Sequence, residues 1–291
     1  IPISATSAFP SMLSYNGPRL GKWYTRMTHR FFQSAFWMAS HKPIKRFWKD
    51  IDKQPPVRIQ NPYPWFEREG FPVLYGFSRH VIPPPDDWGA SIQVTGYWIP
   101  PVVSGWEPPK ALCAFLDAGE APVYVGFGSI RGAQMQQDME HAMKALKELG
   151  HRVVMTSSAV HPSWNTDASI FVLESAPHRW LFPRMRAVIH HGGAGTTAAG
   201  LCAGVPSVVV PYSNDQPMWA QRVQELGVGL KLTSKQRTSS NAWKRVLQEV
   251  LEPSVCANAK VLGEKIRAEE GIHEACDAIE RLFSGAHETR K

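Results

Sequence analysis

Short apolar runs alternate with segments of helical spacing from about residue 110 onward. Residues 121–129 form an apolar, β-branched run that ends in glycines, which predicts a buried strand followed by a tight turn. Residues 132–150 carry apolar positions at helical spacing and end at Gly150, a residue that suits a helix C-terminal cap. Strands are further predicted over 151–157, 170–174, 186–190, 206–211 and 228–232, and helices over 178–184, 195–203, 216–226, 239–251 and 255–284.

This alternation of helices with near-continuous apolar strands predicts an α/β fold whose parallel sheet is covered on both faces. Residues 1–109 have a different texture, because repeated prolines interrupt every long element, and only 20–50 is predicted to be helical. The proline-rich stretch 99–109 is the predicted boundary. We therefore divide the chain into 1–109, a sheet-forming region 110–268 and a helical end 269–291.

Length and composition exclude several classes of protein. The 291 residues are 43% hydrophobic and 20% charged, which allows a sizeable core and excludes a disordered chain. No run of 18 apolar residues occurs, so no membrane-spanning helix is predicted. The 4 cysteines are far apart and form no C-x-x-C pair, so we expect neither a disulfide framework nor a zinc module, and a cytoplasmic location.

The positive charge is concentrated in residues 19–50. This segment holds eight Lys or Arg residues and one acidic residue, and so accounts for the whole formal net charge of +7. The same segment contains eight aromatic residues. Two interpretations stay open: helices that pack the aromatic residues inward, or a peripheral contact with an anionic membrane surface. No nucleic-acid-binding motif accompanies the segment, so nucleic acid is not an expected partner.

A glycine-rich loop carries the clearest chemistry. The predicted strand 186–190 is followed by His191-Gly-Gly-Ala194-Gly195-Thr196-Thr197 and then by a helix. Backbone N–H groups at a helix N-terminus bind phosphate, and the glycines allow close approach. No Gly-Lys-Ser/Thr follows, so this is not a P-loop, and His191 is placed to supply the side-chain contact. The alternative is a packing turn with His190 in the core.

Three further segments lie at predicted strand ends. Asp215 and Gln216 can bind sugar hydroxyls, although an Asp in this position is also a common helix N-cap. Ala176 and His178 can face a planar base, or belong to an ordinary loop. Ser129 closes the first strand as a hydroxyl donor or as part of a plain turn. Asp50-Ile51-Asp52 has the form of a metal-binding Asp-x-Asp, but no apolar strand precedes it, and we predict no metal.

Taken together, these segments resemble UDP-glycosyltransferases, most of all the sterol 3-beta-glucosyltransferases. The resemblance is carried by Val123-Tyr-Val-Gly-Phe-Gly-Ser129, Ala176-Pro-His-Arg-Trp-Leu-Phe-Pro183, His190-His-Gly-Gly-Ala-Gly-Thr-Thr197, Pro211-Tyr-Ser-Asn-Asp-Gln216 and Arg222-Val-Gln-Glu-Leu-Gly-Val-Gly229. It extends over essentially the whole chain. It implies the two-lobed GT-B fold, with 1–109 in an acceptor lobe, 110–268 as a Rossmann-like donor lobe, and 269–291 crossing back.

The resemblance also implies roles. Ala176 and His178 would contact uracil, His191, Ala194, Gly195 and Thr196 would hold the diphosphate, and Asp215 and Gln216 would bind the sugar, with Ser129 near the diphosphate or the acceptor. It implies inverting transfer from UDP-glucose, or a related UDP-sugar, to a sterol or similar lipophilic hydroxylated acceptor, without a metal cofactor. Trp219 is expected to be a packing residue.

The chain departs from the family pattern in two ways. The family's N-terminal glycine-rich loop and the histidine that deprotonates the acceptor are not in this sequence, so we expect the catalytic base upstream of Ile1 and nominate none here. Ala194 and Tyr212-Ser-Asn214 also differ from the usual residues. The alternatives are transfer to a polyketide or terpenoid natural product, or a non-catalytic fragment that binds a UDP-sugar.

Overall fold

A computed structural model describes residues 2–51, 53, 60–100, 105–156, 164 and 167–288. The chain divides into two compact units, one formed by 1–96 together with 273–291 and the other by 97–272. The sequence had placed these borders at 109/110 and 268/269. Within the described residues, no helix is both long enough and apolar enough to cross a bilayer.

The larger unit is built on a six-stranded parallel sheet. In chain order its strands are β3 Val123–Gly126, β4 Val153–Thr156, β5 Ile170–Leu173, β6 Ala187–His190, β7 Ser207–Val209 and β8 Gly229–Lys231, and their spatial order is β5-β4-β3-β6-β7-β8. Every neighbouring pair is parallel. The central strands β3, β6 and β7 are buried throughout, which is why their sequences are continuously apolar instead of alternating.

Helices cover both faces of this sheet. They are α3 Lys110–Asp117, α4 Ala133–Glu148, α5 His178–Leu181, α6 Ala194–Ala203, α7 Gln216–Glu225, α8 Ser240–Val250 and α9 Pro253–Arg267. Successive residues of a strand point to opposite faces. Val123 and Val125 therefore join a core with α4 and α8, whereas Tyr124 joins a second core with α3 and α5. The α/β fold with a covered parallel sheet is as predicted.

The strand order reverses between β3 and β6. From β3 the chain proceeds outward through β4 to β5, and from β6 it proceeds the other way through β7 to β8. The loops after β3 and β6 therefore diverge at the carboxyl edge of the sheet and leave a crevice between them, which is where ligands bind in open parallel sheets. Both predicted glycine-containing turns, after β3 and after β6, lie at this edge.

The smaller unit holds α1 Lys22–Asp50, α2 Pro62–Arg68 and a parallel strand pair, β1 Val73–Tyr75 with β2 Ile92–Val94. The prediction that only 20–50 is helical before residue 110 was wrong about α2. Asn61 caps that helix by accepting from the Tyr63 N–H at 3.1 Å. Pro62 and Pro64 fall in its first turn, where a missing N–H costs nothing.

The helical end also differs from the prediction of one helix over 255–284. It is split into α9 and α10 Gly271–Glu288, and α9 ends at Arg267 with a cap at Ala268. The helix α3, directly after the proline-rich stretch, was likewise not predicted. The other predicted strands and helices of the sheet region are present, with ends that shift by up to about three residues, as element boundaries commonly do.

Candidate donor-sugar site

The loop after β6 leads from a fully buried histidine to the exposed start of α6. His190 has no exposed surface, and its Nδ1 accepts from the Gly192 N–H at 3.0 Å. Burial, reinforced by the neighbouring His191 and His178, lowers the pKa of His190 to about 3, so the ring is neutral. His190 is therefore the core member of the pair, and it shapes the turn that presents His191.

The N-terminus of α6 has unpaired backbone donors. Gly193 is the cap residue and makes no side-chain capping bond, and the first hydrogen bond within the helix is Thr197 N–H to the Gly193 carbonyl at 2.9 Å. The N–H groups of Ala194, Gly195 and Thr196 lie ahead of that bond and have no acceptor within the helix. Ala194 and Gly195 are also exposed. This geometry, with the helix dipole behind it, is an anion-binding site.

The His191 ring is wedged between two glycines. A Cβ on Gly128 would lie 2.9 Å from Cε1 of His191, and one on Gly193 would lie 2.6 Å from Nε2. Its Nδ1 is buried and has no hydrogen-bond partner among the described residues. Burial lowers the pKa of His191, while the negative charge of Asp215 acts in the opposite direction. The half-buried ring therefore lies between the β3 turn and the start of α6, beside the N-terminus of that helix.

Gly192 brings the glycine-rich loop against Gln216. Its φ of +89° favours glycine, and a Cβ there would lie 2.7 Å from Cγ1 of Val209 and 3.2 Å from the carbonyl oxygen of Gln216. The Oε1 of Gln216 accepts from the Tyr212 N–H at 2.7 Å and the Ser213 N–H at 3.1 Å. With its oxygen so engaged, the side chain of Gln216 has its –NH₂ group left to donate.

Asp215 is held by a residue that the sequence placed in the core. The indole Nε1–H of Trp219 donates to Oδ2 of Asp215 at 2.9 Å, and Trp219 is only 3% exposed. Asp215 stands at the N-cap position of α7 but makes no capping hydrogen bond. The helix-cap alternative is therefore not what this side chain does. Trp219 packs as expected, and it also orients a site carboxylate, which the sequence reasoning missed.

The sequence reasoning also missed a second set of contacts that holds the segment before Asp215. It consists of Tyr212, Asp138 and Arg237, and we call it the latch. The hydroxyl of Tyr212 donates to Oδ2 of fully buried Asp138 at 2.7 Å. The Arg237 guanidinium stacks over the Tyr212 ring at 4.9 Å and donates to the Pro211 carbonyl. Arg237 Nη1 also lies 3.5 Å from the Asp138 carboxylate. These contacts fix residues 211–216 to α4, the helix that follows the β3 turn.

A cavity of about 240 Å³ opens beside the loop, between the ends of β3, β4 and β5 and the start of α6. It is lined by Tyr124, Gly126, Gly128, Thr156, Glu174, His178 and Thr196. His178 stacks on Phe182 with ring centroids 4.3 Å apart, and burial lowers the pKa of His178. Two predicted residues from distant segments, His178 and Thr196, thus line one cavity with the β3 turn.

The other predicted site residues, Ser129 and Ala176, make fewer contacts with the groups described above. Ser129 is exposed on the β3 turn, and its neighbour Gly128 is the residue in contact with His191. Ala176 is half-buried against the core formed by α3 and α5. Within the described residues, no three His, Cys, Asp or Glu side chains cluster as metal ligands. Asp52 of the Asp-x-Asp candidate lies outside the described residues, and the absence of a metal stays a prediction.

Comparison with known proteins gives the class. Residues 140–282 match the family described as erythromycin biosynthesis protein CIII-like, C-terminal domain. The glycosyltransferase of kitacinnamycin superposes with a TM-score of 0.65 at 21% identity, covering 87% of this chain and 66% of that one. The calicheamicin glycosyltransferase CalG4 gives 0.60 at 18% identity, over 83% and 64% of the two chains. The fold is GT-B, and the six-stranded unit is its C-terminal lobe.

Sequence relatives define the family more closely. The chain is 35% identical to a sterol 3-beta-glucosyltransferase of Leptosphaeria maculans over 98% of its own length, and 32% identical to one of Arabidopsis thaliana over 96%. Its sequence is similar to sterol 3-beta-glucosyltransferases along nearly its whole length, which is the resemblance that the sequence motifs predicted. The chain spans 20% of the length of the fungal relative and 44% of that of the plant relative.

Proposed function

We propose that this chain provides the donor lobe of an inverting glycosyltransferase. The enzyme would move a hexose, with glucose as the expected sugar, from a UDP-sugar to the hydroxyl of a sterol or similar lipophilic acceptor. The observation that carries the proposal is the meeting of three groups at the β3/β6 crevice. They are the open N-terminus of α6, the ring of His191, and the Asp215–Gln216 pair.

The proposed donor pose follows from the chemistry of each group. The diphosphate would lie on the N–H groups of Ala194, Gly195 and Thr196, with His191 as a further donor. The uracil would enter the cavity lined by His178. The carboxylate of Asp215 would accept from sugar hydroxyls, and the –NH₂ group of Gln216 would donate to them.

Rate enhancement in this arrangement comes from stabilising the leaving group. When the glycosidic bond to UDP breaks, negative charge grows on the β-phosphate. The helix N-terminus and His191 are fixed before that charge appears, so they stabilise it without reorganising. Trp219 and the latch of Tyr212, Asp138 and Arg237 keep the sugar-binding side chains in place. Transfer also needs a base at the acceptor hydroxyl.

The proposed acceptor rests on the names of the sequence relatives, which are sterol glucosyltransferases. A second acceptor class is favoured by the matching family description, which names erythromycin biosynthesis, and by the fold neighbours, which are named as the glycosyltransferases of kitacinnamycin and calicheamicin. A polyketide or terpenoid acceptor is therefore the alternative. Four free thiols fit the proposed cytoplasmic location, because disulfides are rare in reducing compartments.

A transfer assay separates these functions. The protein is incubated with UDP-glucose and either a sterol or a polyketide aglycone, and glycosides are detected by mass spectrometry. A sterol glucoside whose formation is lost in Asp215→Ala supports the proposal. A glycoside of the polyketide alone would establish the alternative acceptor. Saturable UDP-glucose binding without transfer to any acceptor would instead identify a non-catalytic binding fragment.

A further inference from the structure

Among the described residues, the buried side chains of α1 all lie on one side of the helix. Its buried side chains are Thr25, Thr28, His29, Phe32 and Gln33. His29 and Gln33 hydrogen bond to the backbone carbonyls of Phe9 and Ile3, at 2.9 and 3.0 Å. The Thr28 hydroxyl oxygen accepts from the Ser11 N–H at 2.9 Å. These contacts fix which side of α1 faces the first residues of its unit, and hence which side faces outward.

The outward side carries a stripe of large apolar side chains. Trp23, Met27, Phe31 and Met38 are 77%, 43%, 69% and 65% exposed. At about 100° per residue, these four positions fall within roughly 80° of arc, opposite the packed side. The stripe is about 22 Å long at 1.5 Å per residue. Exposed apolar surface this continuous marks an interaction site in a soluble protein.

Lysines continue the same stripe. Where the apolar residues stop, Lys45 and Lys49 fall within the same arc and Lys42 lies about 20° beyond it. All three are exposed, and within the described part of the chain they form no ion pair. Three other bases of α1 have acidic partners: Arg26 and Arg30 share Glu67 at 3.0 and 2.5 Å, and Arg46 pairs with Asp50 at 3.6 Å. Apart from Lys22 at the start of the helix, the uncompensated bases among the described residues of α1 therefore lie on or beside the stripe.

We infer that this stripe, which we call the α1 outer face (Trp23, Met27, Phe31, Met38, Lys42, Lys45 and Lys49), binds the surface of an anionic lipid membrane. The helix would lie in the plane of the interface. Its apolar half would enter the boundary between headgroups and acyl chains, and its lysine half would contact the negative surface. The inference chooses between the two interpretations of residues 19–50 and does not depend on how the other unit binds a donor.

Liposome co-sedimentation tests the inference with the 291-residue chain and no UDP-glucose. The vesicles are phosphatidylcholine alone or phosphatidylcholine with phosphatidylserine. We expect binding to the phosphatidylserine vesicles, weaker binding to neutral ones, and loss of the difference at high salt. Replacing Lys42, Lys45 and Lys49 with Glu should weaken binding to the anionic vesicles about 100-fold or more, because each lysine near the surface contributes about 1 kcal/mol, which is roughly fivefold in affinity. Trp23→Ser with Phe31→Ser should weaken binding to both vesicle types at least tenfold.

Matched controls locate the binding face. Lys235, Lys260 and Lys265 are exposed on the other unit, and replacing them with Glu makes the same charge change without touching the stripe. Phe36→Ser with Phe47→Ser removes two exposed aromatic residues from the opposite side of the same helix. Both controls should bind the vesicles as the unmodified chain does. Circular dichroism confirms that each variant is folded.

Three results would overturn the inference. One is a folded chain that binds neither vesicle type. Another is a loss of vesicle binding that is equally large in the outer-face variants and in the control variants. The third is a concentration-dependent dimer that Trp23→Ser disperses, because the outer face would then cover a second copy of the chain. Donor binding, measured separately by calorimetry, stays interpretable in every case.

Discussion

The indole N–H of Trp219 donates to the carboxylate of Asp215 across one turn of α7, at 2.9 Å. Trp219 is buried in the core of the six-stranded unit, so its ring cannot follow the carboxylate if that side chain rotates. The bond therefore ties the side-chain conformation of Asp215 to the packing of the core. A carboxylate held in this way meets a sugar hydroxyl already oriented, which lowers the entropic cost of binding.

Removing that hydrogen bond should loosen sugar recognition. Trp219→Phe keeps an aromatic ring in the core but deletes the donor. We expect affinity for UDP-glucose to fall by roughly tenfold, because a hydrogen bond to a charged group contributes about 1.5–3 kcal/mol. Affinity for UDP, which has no sugar, should change little. Calorimetric titration with both ligands gives the comparison.

Trp243→Phe is the matched control for this substitution. Trp243 is fully buried in α8, and its Nε1 has no hydrogen-bond partner among the described residues. Trp243→Phe should lower the free energy of unfolding through lost packing, without changing the ratio of the affinity for UDP-glucose to the affinity for UDP. If Trp219→Phe lowered the affinity for UDP-glucose and for UDP equally, Trp219 would support the fold and not Asp215 specifically.

Tyr212→Phe should release residues 211–216 from α4. The variant removes the hydroxyl that donates to Asp138 and leaves that buried carboxylate with one donor fewer. We expect the free energy of unfolding to fall by about 1–3 kcal/mol, together with weaker UDP-glucose binding. Urea denaturation measures the first effect. Tyr97→Phe is the control, because the buried Tyr97 hydroxyl has no partner in the described structure and its removal should cost little or nothing.

The sheet could be predicted from the sequence because each buried parallel strand is a short, continuous apolar run. The predicted site segments converge because they follow strands that end at one edge of that sheet. The hydrogen bond from Trp219 to Asp215 could have been predicted, because residues four apart on a helix are neighbours, but a large aromatic residue at such a position usually serves only the core. The hydrogen bond between Tyr212 and Asp138 could not have been predicted, because 74 residues separate them and no local pattern joins them.

Two glycines of the glycine-rich loop, Gly192 and Gly195, should respond oppositely to substitution by alanine. Gly192→Ala forces a Cβ into Val209 at a φ of +89°, so we expect a loss of about 2–4 kcal/mol in unfolding free energy. Gly195→Ala places its Cβ where nothing lies within 4 Å, inside α6, and should leave stability unchanged or raise it by up to about 1 kcal/mol. Thermal or urea melts of both variants check this. A tolerant Gly192 would contradict the close packing against Gln216.

Donor affinity should increase as pH falls, with His191 responsible. Burial lowers the pKa of His191 in the free chain, and a bound diphosphate would raise it, so binding takes up a proton between the two pKa values. As pH falls through the pKa that His191 has in the complex, affinity for UDP-glucose should rise. It should level off below the pKa that His191 has in the free chain. Titrations between about pH 5 and 8 test this.

His191→Gln supplies the comparison for that pH dependence. Gln keeps a hydrogen-bond donor but does not titrate, so the variant should retain part of the affinity and lose the pH dependence that His191 contributes. UDP-glucose is the better ligand for this experiment than UDP, because its diphosphate is esterified at both ends and has no proton to exchange in this pH range. An unchanged pH profile in His191→Gln would place the diphosphate away from this ring.

The most direct test of the account is calorimetric titration of the chain with UDP-glucose in a chelating buffer, with His191→Ala in parallel. We expect saturable one-to-one binding without metal and a large loss of affinity in His191→Ala, whose fold circular dichroism would verify. A folded chain that fails to bind UDP-glucose, or a His191→Ala variant that binds it normally, would contradict a donor site at the start of α6.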